Sequence, residues 1–143
     1  MAAKLDGVTA GDLAAFSRQD CAHPYLFVRG GIIHWIAEER GQVLEHRTTS
    51  ALDEALHWVA LDATHSMAMR WELWQRGRFP ADQDSRIGWL AKQVELLGRL
   101  DARWAEQFRA GIPAPCPGVR LEDVDTHPLT WLSGRGDPLA RHS

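Results

Sequence analysis

Apolar residues recur at helical spacing in two long segments, residues 51–75 and 85–109. At about 100° per residue, one broad face of the first segment is apolar and is predicted to be buried. Its members are Leu52, Leu56, Val59, Ala63, Met67, Trp71 and Trp74. The inner stripe of the second segment comprises Ile87, Leu90, Ala91, Val94 and Leu97, opposite Lys92, Glu95, Arg99 and Arg103. The pattern predicts two long helices, the second broken near Asp101, which is suited to cap a new helix.

Between residues 25 and 49 the pattern changes to three runs rich in β-branched and aromatic residues. Gly30-Gly31 and Arg40-Gly41 separate the runs, so they are predicted to form an antiparallel meander with glycine turns. Alternation along the third run places Leu44, His46 and Thr48 on one face and Val43, Glu45 and Arg47 on the other. One face of the sheet is therefore expected to be partly exposed to solvent.

Capping patterns and prolines mark the ends of this arrangement. Thr9-Ala-Gly-Asp12 precedes an apolar stretch and predicts a short helix of about two turns, and Ser50-Ala-Leu-Asp53 opens the first long helix. A loop is expected over residues 77–82, around Pro80. Five of the seven prolines lie between residues 113 and 138. They predict an extended or partly disordered tail, with Leu129, Trp131 and Leu132 as its anchors.

The predicted fold class is thus α+β. A short N-terminal helix and a three-stranded antiparallel meander pack against two long helices, and an extended Pro-rich C-terminal tail follows. Because 143 residues is close to the usual size of one domain, we expect a single domain over residues 1–112, with residues 113–143 packed on it.

Charge and composition exclude several classes of function. The formal net charge of −3 leaves no basic field to attract nucleic acid or an anionic membrane. No run approaches the roughly 20 apolar residues of a membrane span. The first residues lack the apolar region of a secretory signal, and the only cysteines are Cys21 and Cys116. A cytoplasmic, reducing location is expected.

The histidines and potential nucleophiles do not form a recognisable catalytic set. His57 and His65 are eight residues apart, which is about 12 Å along a helix, whereas helical metal pairs require spacings of three or four residues. We therefore predict no metal and no cofactor. Neither cysteine and no serine lies in a pattern that activates a nucleophile, so no enzyme activity is expected. The alternative is an enzyme or small-ligand-binding protein with a pocket between sheet and helices, using His34, His46 and His57.

One surface of the first long helix is the best candidate for binding a partner. Its outward residues, which we call the helix ridge, are Glu54, His57, Leu61, His65 and Glu72. A mixed acidic, imidazole and apolar surface is typical of protein interfaces. Trp58 lies at the edge of the inner stripe and joins the predicted interface, because exposed tryptophans often anchor partners. The alternative is that the tail or the N-terminal helix covers the ridge.

An ordered series of motifs resembles a known family. The motifs are ERGQVLEHRTT at residues 39–49, LDEALHWV at 52–59, DATHSMA at 62–68, KQVELLG at 92–98 and WAE at 104–106. Together they cover about half the chain and resemble the immunity protein 63 family of bacterial polymorphic toxin systems. Members often carry Leu-Asp-Pro-Glu-Trp-Ala-Glu at the last motif, where this chain has Asp101-Ala-Arg-Trp-Ala-Glu and lacks the proline.

The resemblance implies a small cytoplasmic protein that binds and neutralises a cognate toxin domain encoded nearby. Steric occlusion of the toxin's active site or substrate groove is the expected mechanism. A homodimer is also compatible with the sequence, and an obligate homo-oligomeric subunit is a third class of function to be weighed.

Overall fold

Three antiparallel strands form a meander in the order β1 (Tyr25–Arg29), β2 (Ile32–Glu39) and β3 (Gln42–Thr49). The structure is a computed structural model that describes residues 4–76 and 84–129. Both connecting turns have two central residues with positive φ: 58° and 77° at Gly30 and Gly31, and 51° and 75° at Arg40 and Gly41. This is the geometry of the type I′ hairpin turn, whose twist matches that of the strands. The predicted meander and its glycine turns are confirmed.

In the described part of the chain, four helices follow the sheet: α1 (Leu52–Gln75), α2 (Ser85–Leu100), α3 (Ala102–Gly111) and α4 (Leu121–Asp125). The predicted break is confirmed at Asp101, whose carboxylate accepts a hydrogen bond of 2.8 Å from the Arg103 backbone N–H and so caps α3. The same carboxylate accepts hydrogen bonds from the Arg103 guanidinium, and this pairing lowers the pKa of Asp101 to about 2. The α+β class predicted from the pattern is confirmed.

The N-terminal segment and the start of α1 differ in detail from the prediction. The short helix is a single 3-10 turn, Ala10–Asp12. The chain then becomes extended, because Ala15 pairs with the start of β1 through hydrogen bonds to Pro24 and Leu26. At the start of α1 the hydroxyl of Thr49, one residue before the predicted cap, accepts from the Ala51 N–H at 3.0 Å and donates to Glu54 at 2.5 Å.

The chain divides into two compact units, residues 10–63 and residues 1–9 with 64–143. In the first unit, one face of the sheet packs on the first half of α1. Its buried cluster comprises Ala14, Leu26, Trp35, Ala55 and Trp58. Strand register places Leu26, Trp35 and Arg47 side by side on this face.

Two apolar clusters hold the second unit together. One joins α2 to the segment that follows α3, through Ile87, Leu90, Ala91, Ile112, Cys116, Val119 and Val124. The other joins α1 to α2 and to the N-terminal segment, through Leu5, Met67, Ala68, Trp71 and Leu96. Leu129 of the predicted tail packs against both clusters, as expected of an anchor. Helix α4, which the proline-rich composition did not predict, places Val124 in the first cluster.

Helix α1 does not bury one continuous stripe. Trp58 and Met67 are both buried although they are nine residues apart, which places them on opposite sides of the helix. Leu52 and Leu56, predicted to be buried, are instead 65% and 39% exposed. The side that α1 buries therefore changes along its length, and the prediction of a single inner face was wrong at its N-terminal end.

The inner stripe of α2 agrees with the prediction, but one member of the opposite side does not. Lys92, expected on the charged side, is only 5% exposed. Its ammonium lies 5.4 Å from the centre of the Trp71 ring and 3.2 Å from a Glu95 carboxylate oxygen. The aromatic face and the carboxylate offset the cost of burying this charge.

Several predictions fall on residues outside the described ranges. These are the predicted loop at residues 77–82 and the part of the tail that contains Trp131 and Leu132. The prediction of a single domain over residues 1–112 stays a prediction. Within residues 4–76 and 84–129, no helix has both the length and the apolar character of a bilayer span.

Candidate functional site

The residues predicted to bind a partner lie along α1, but they are not equally accessible. Glu54 and His65 are exposed, and His57 and Leu61 are half-buried. Trp58 and Glu72 are buried, at 9% and 8% exposure. Four of the six side chains are therefore at least partly accessible in this conformation, and partner binding by the six residues stays a prediction.

Trp58 is buried because it belongs to the core between α1 and the sheet. The guanidinium carbon of Arg47 on β3 lies 5.0 Å from the centre of the Trp58 ring and 5.1 Å from that of Trp35. Glu45 accepts a hydrogen bond of 3.2 Å from the Trp35 indole N–H and forms an ion pair of 2.8 Å with Arg47. This cluster of Trp35, Glu45, Arg47 and Trp58 fixes Trp58 as a packing residue.

Glu72 is buried because α2 approaches α1 closely at this level. A Cβ atom placed on Gly88 of α2 would lie 3.8 Å from Glu72 Cγ and 3.9 Å from the Trp71 ring. Glu72 also accepts hydrogen bonds of 3.0 Å and 3.4 Å from Arg76, and this pairing raises the pKa of the Arg76 guanidinium. The Glu72 side chain thus packs between α1 and α2, and its carboxylate forms an ion pair with Arg76 of α1.

The structure adds an exposed apolar surface that the sequence analysis missed. Met69 and Leu73 follow His65 at successive spacings of four residues, and they are 40% and 61% exposed. We call Met69 and Leu73 the apolar row. His65 itself packs edge-on against the Trp89 ring of α2, with 5.3 Å between ring centres. The spacing of four residues could have indicated that these side chains share one side of α1. It was not used, because one buried face was assumed for the whole helix.

His34, His46 and His57, which the alternative hypothesis of an enzyme or ligand pocket would use, do not lie at one site. His34 and His46 stack on the sheet face that faces away from Trp35, with a ring nitrogen of each 3.0 Å apart. Phe27 continues this stack, with its ring centre 4.6 Å from that of His34. His57 lies on α1, which packs on the opposite face of the sheet through Ala55 and Trp58. The sheet therefore separates His57 from the other two.

Within residues 4–76 and 84–129, no group of three or more His, Cys, Asp or Glu side chains is arranged to hold a metal ion. The two contacting histidines on the sheet fall short of the four ligands of a structural zinc site. The described surface does expose the apolar row and part of the helix ridge.

Comparison with known proteins gives one family match. A family model described as Immunity protein 63 matches residues 30–114, a stretch that begins in the first hairpin turn and ends after α3. The match confirms the family that the ordered motifs resemble. Neither the curated proteins nor the solved structures contain a significant match to this chain.

Proposed function

Because the chain belongs to the immunity protein 63 family, we propose that it binds a cognate bacterial toxin domain encoded nearby and neutralises it in the cytoplasm. The match over residues 30–114 is the observation that carries this proposal. In this role the chain acts as a binding protein and catalyses no reaction. Steric occlusion is the simplest mechanism for such a protein, since a bound domain that covers an active site or a substrate groove prevents turnover.

The toxin-binding surface that we propose is the accessible side of α1. It includes Glu54, His57, Leu61 and His65 of the helix ridge, and we add Met69 and Leu73 of the apolar row. Apolar side chains that are 40% and 61% exposed lose unfavourable contact with water when a partner covers them. Interfaces commonly combine apolar side chains of this kind with polar ones.

Trp58 and Glu72 have a different part in this proposal. Trp58 holds α1 on the sheet through its core contacts, and Glu72 lies where α1 meets α2. Both side chains therefore support the helix whose other residues contact the toxin. Acidic residues at the start of α1, Asp53 and Glu54, would complement a basic toxin surface if the toxin is a nuclease.

Co-expression tests the proposal directly. The C-terminal domain of the neighbouring toxin gene is expressed in a susceptible host, alone or together with this chain, and growth and complex formation are measured. Rescue of growth, together with a complex that survives size-exclusion chromatography, supports neutralisation by binding. Rescue without a complex argues for an enzymatic or indirect mechanism. Neither rescue nor a complex with any adjacent toxin domain overturns the proposal.

A further inference from the structure

Two histidines meet on the sheet face that points away from Trp35. His34 of β2 and His46 of β3 are diagonal neighbours, since His46 lies opposite Ile36 in the strand register and His34 lies opposite Thr48. Side chains at diagonal positions of an antiparallel pair can reach each other when they are long or aromatic. Nδ1 of His34 and Nε2 of His46 lie 3.0 Å apart, so one ring donates an N–H and the other accepts it. Two imidazole nitrogens are thus held together at the surface.

From this pair we infer that His34 and His46 chelate one divalent transition-metal ion, with Cu²⁺ bound most tightly. Imidazole nitrogen is a preferred ligand of Cu²⁺, Ni²⁺ and Zn²⁺. Two nitrogens at about 2.0–2.1 Å from one ion are about 2.9 Å apart when they subtend about 90° at the metal, and about 3.4 Å apart at the tetrahedral angle. The observed separation of 3.0 Å is closer to the first value. That angle belongs to the tetragonal geometry of Cu²⁺ and Ni²⁺.

Metal binding replaces the proton that lies between the two rings. In the hydrogen-bonded pair only one of the facing nitrogens has a free lone pair, whereas a chelate needs both. The donor ring therefore passes this proton through solvent to its own second nitrogen, and both rings turn until their lone pairs point at the ion. No net proton is released when both rings are neutral. His46 is exposed and His34 is half-buried, so water and the ion have access to the pair.

The surroundings of His34 fix one half of the chelate in advance. Phe27 of β1 lies directly opposite His34, and its ring stacks on the imidazole with 4.6 Å between ring centres and 4° between ring planes. The irregularity in the β2–β3 register lies at Ala37 and Glu38, so the pairing around both histidines is regular. A ring that is already ordered loses less conformational entropy when it binds an ion. The pair is therefore partly preorganised.

Two protein ligands make an open site from which the ion can exchange. The remaining coordination positions face solvent and are filled by water, in contrast to the four protein ligands of a structural zinc site. The bound ion joins β2 to β3 and stabilises the folded chain according to its free concentration. The inference does not depend on toxin binding, because the pair lies on the sheet face opposite the one that packs on Ala55 and Trp58 of α1.

A titration of the metal-free chain with CuCl₂ alone tests the chelate. A Cys21→Ser background removes the exposed thiol, which would compete for copper. Binding is followed through the paramagnetic broadening of amide NMR signals from β2 and β3, which reports the ion at this site. His34→Gln and His46→Gln should each weaken binding at least tenfold. In the variant with both changes the two losses should not add, because removal of either ligand already destroys the chelate.

His65→Gln is the matched control, since it removes one exposed imidazole from α1 and leaves the pair intact. It should change the affinity of the β2–β3 site less than twofold. Circular dichroism of the metal-free variants verifies that each one is folded. Losses that add in the double variant indicate two independent histidines, and broadening around His65 that is as strong as around the pair indicates an adventitious ion only. Either outcome, or no broadening of the β2 and β3 signals, overturns the inference.

Discussion

The guanidinium carbon of Arg47 lies 5.0 Å from the centre of the Trp58 ring, which joins strand β3 to helix α1. The same guanidinium lies 5.1 Å from the Trp35 ring, so one cation contacts two indoles. Arg47 and Trp58, which the sequence pattern assigned to separate elements, therefore belong to one packed cluster. Their contact explains why Trp58 belongs to the core.

Replacement of Arg47 should weaken the fold. Arg47→Ala removes both cation–π contacts, each of which is worth about 0.5–1 kcal/mol at a partly exposed site. We expect the free energy of unfolding to fall by about 1–2 kcal/mol, measured by urea denaturation. Gln42→Ala, at an exposed position on the same strand, is the control and should change it by less than about 0.5 kcal/mol. Equal effects of the two variants would show that the indole contacts contribute little.

Gly98→Ala should stabilise the protein. Gly98 is exposed within α2, and a Cβ atom placed there has its nearest neighbour at 3.9 Å, the Cβ of Ala105. Alanine is favoured over glycine inside a helix by about 0.5–1 kcal/mol, and the site has room for it. The thermal midpoint should rise by a few degrees. A lower midpoint would mean that the α2 to α3 junction requires the glycine.

Stability should decrease as the pH falls through the ordinary pKa of histidine. Burial lowers the pKa of His127, which packs edge-on against Trp71 at 6.1 Å between ring centres. The unfolded chain then binds a proton more readily than the folded chain. The stability associated with the neutral His127 ring is fully present above about pH 6.5. It is lost progressively as the pH falls below about 6.5 towards the lower pKa of His127 in the folded state.

The measurement compares urea midpoints at pH 7.5 and 5.5 in the native chain and in His127→Gln. The native chain should lose more stability than the variant between these two conditions. An identical loss in both chains would assign the pH dependence to other groups.

Substitutions on α1 should separate toxin binding from folding. Leu61→Arg in the helix ridge and Leu73→Glu in the apolar row are each expected to weaken toxin binding at least tenfold, which is about 1.4 kcal/mol, while the chain stays folded. Leu52→Glu is the control, since Leu52 is 65% exposed on the same helix but lies off both surfaces. Binding is measured by calorimetry and folding by circular dichroism. If Leu61→Arg unfolds the chain, Leu61 belongs to the core and the ridge loses its apolar member.

Local signals were sufficient for much of the fold. The meander was predictable because glycine turns are a local property, and the break at Asp101 because capping depends on the next few residues. The predicted alternation of β3 was wrong at Val43, because a bulge at Leu44 puts Val43 and Glu45 on opposite faces. Helix α4 was not predictable, since five residues among prolines carry no periodicity. The ordered motifs were also sufficient for the family, because they lie within the matched residues 30–114.

The candidate surface was predicted only in part. Helical spacing correctly placed Glu54, His57, Leu61, His65 and Glu72 on one side of α1. Spacing alone did not determine which of these residues is covered, because burial depends on what packs against each turn of the helix. Trp58 and His65 lie on nearly the same side, yet Trp58 packs against Arg47 and His65 remains exposed.

The amino-acid sequence by itself determined the strand order, the glycine turns, the two long helices with the break at Asp101, and the family. The first three depend on residues close together in the chain, and the family on an ordered series of motifs. The tertiary structure alone decided which side of α1 is buried at each level. It buried Trp58 and Glu72 and left Met69 and Leu73 in water. The physical reason is that burial is a property of contacts between distant segments, and one helical period cannot describe a helix whose buried side changes along its length.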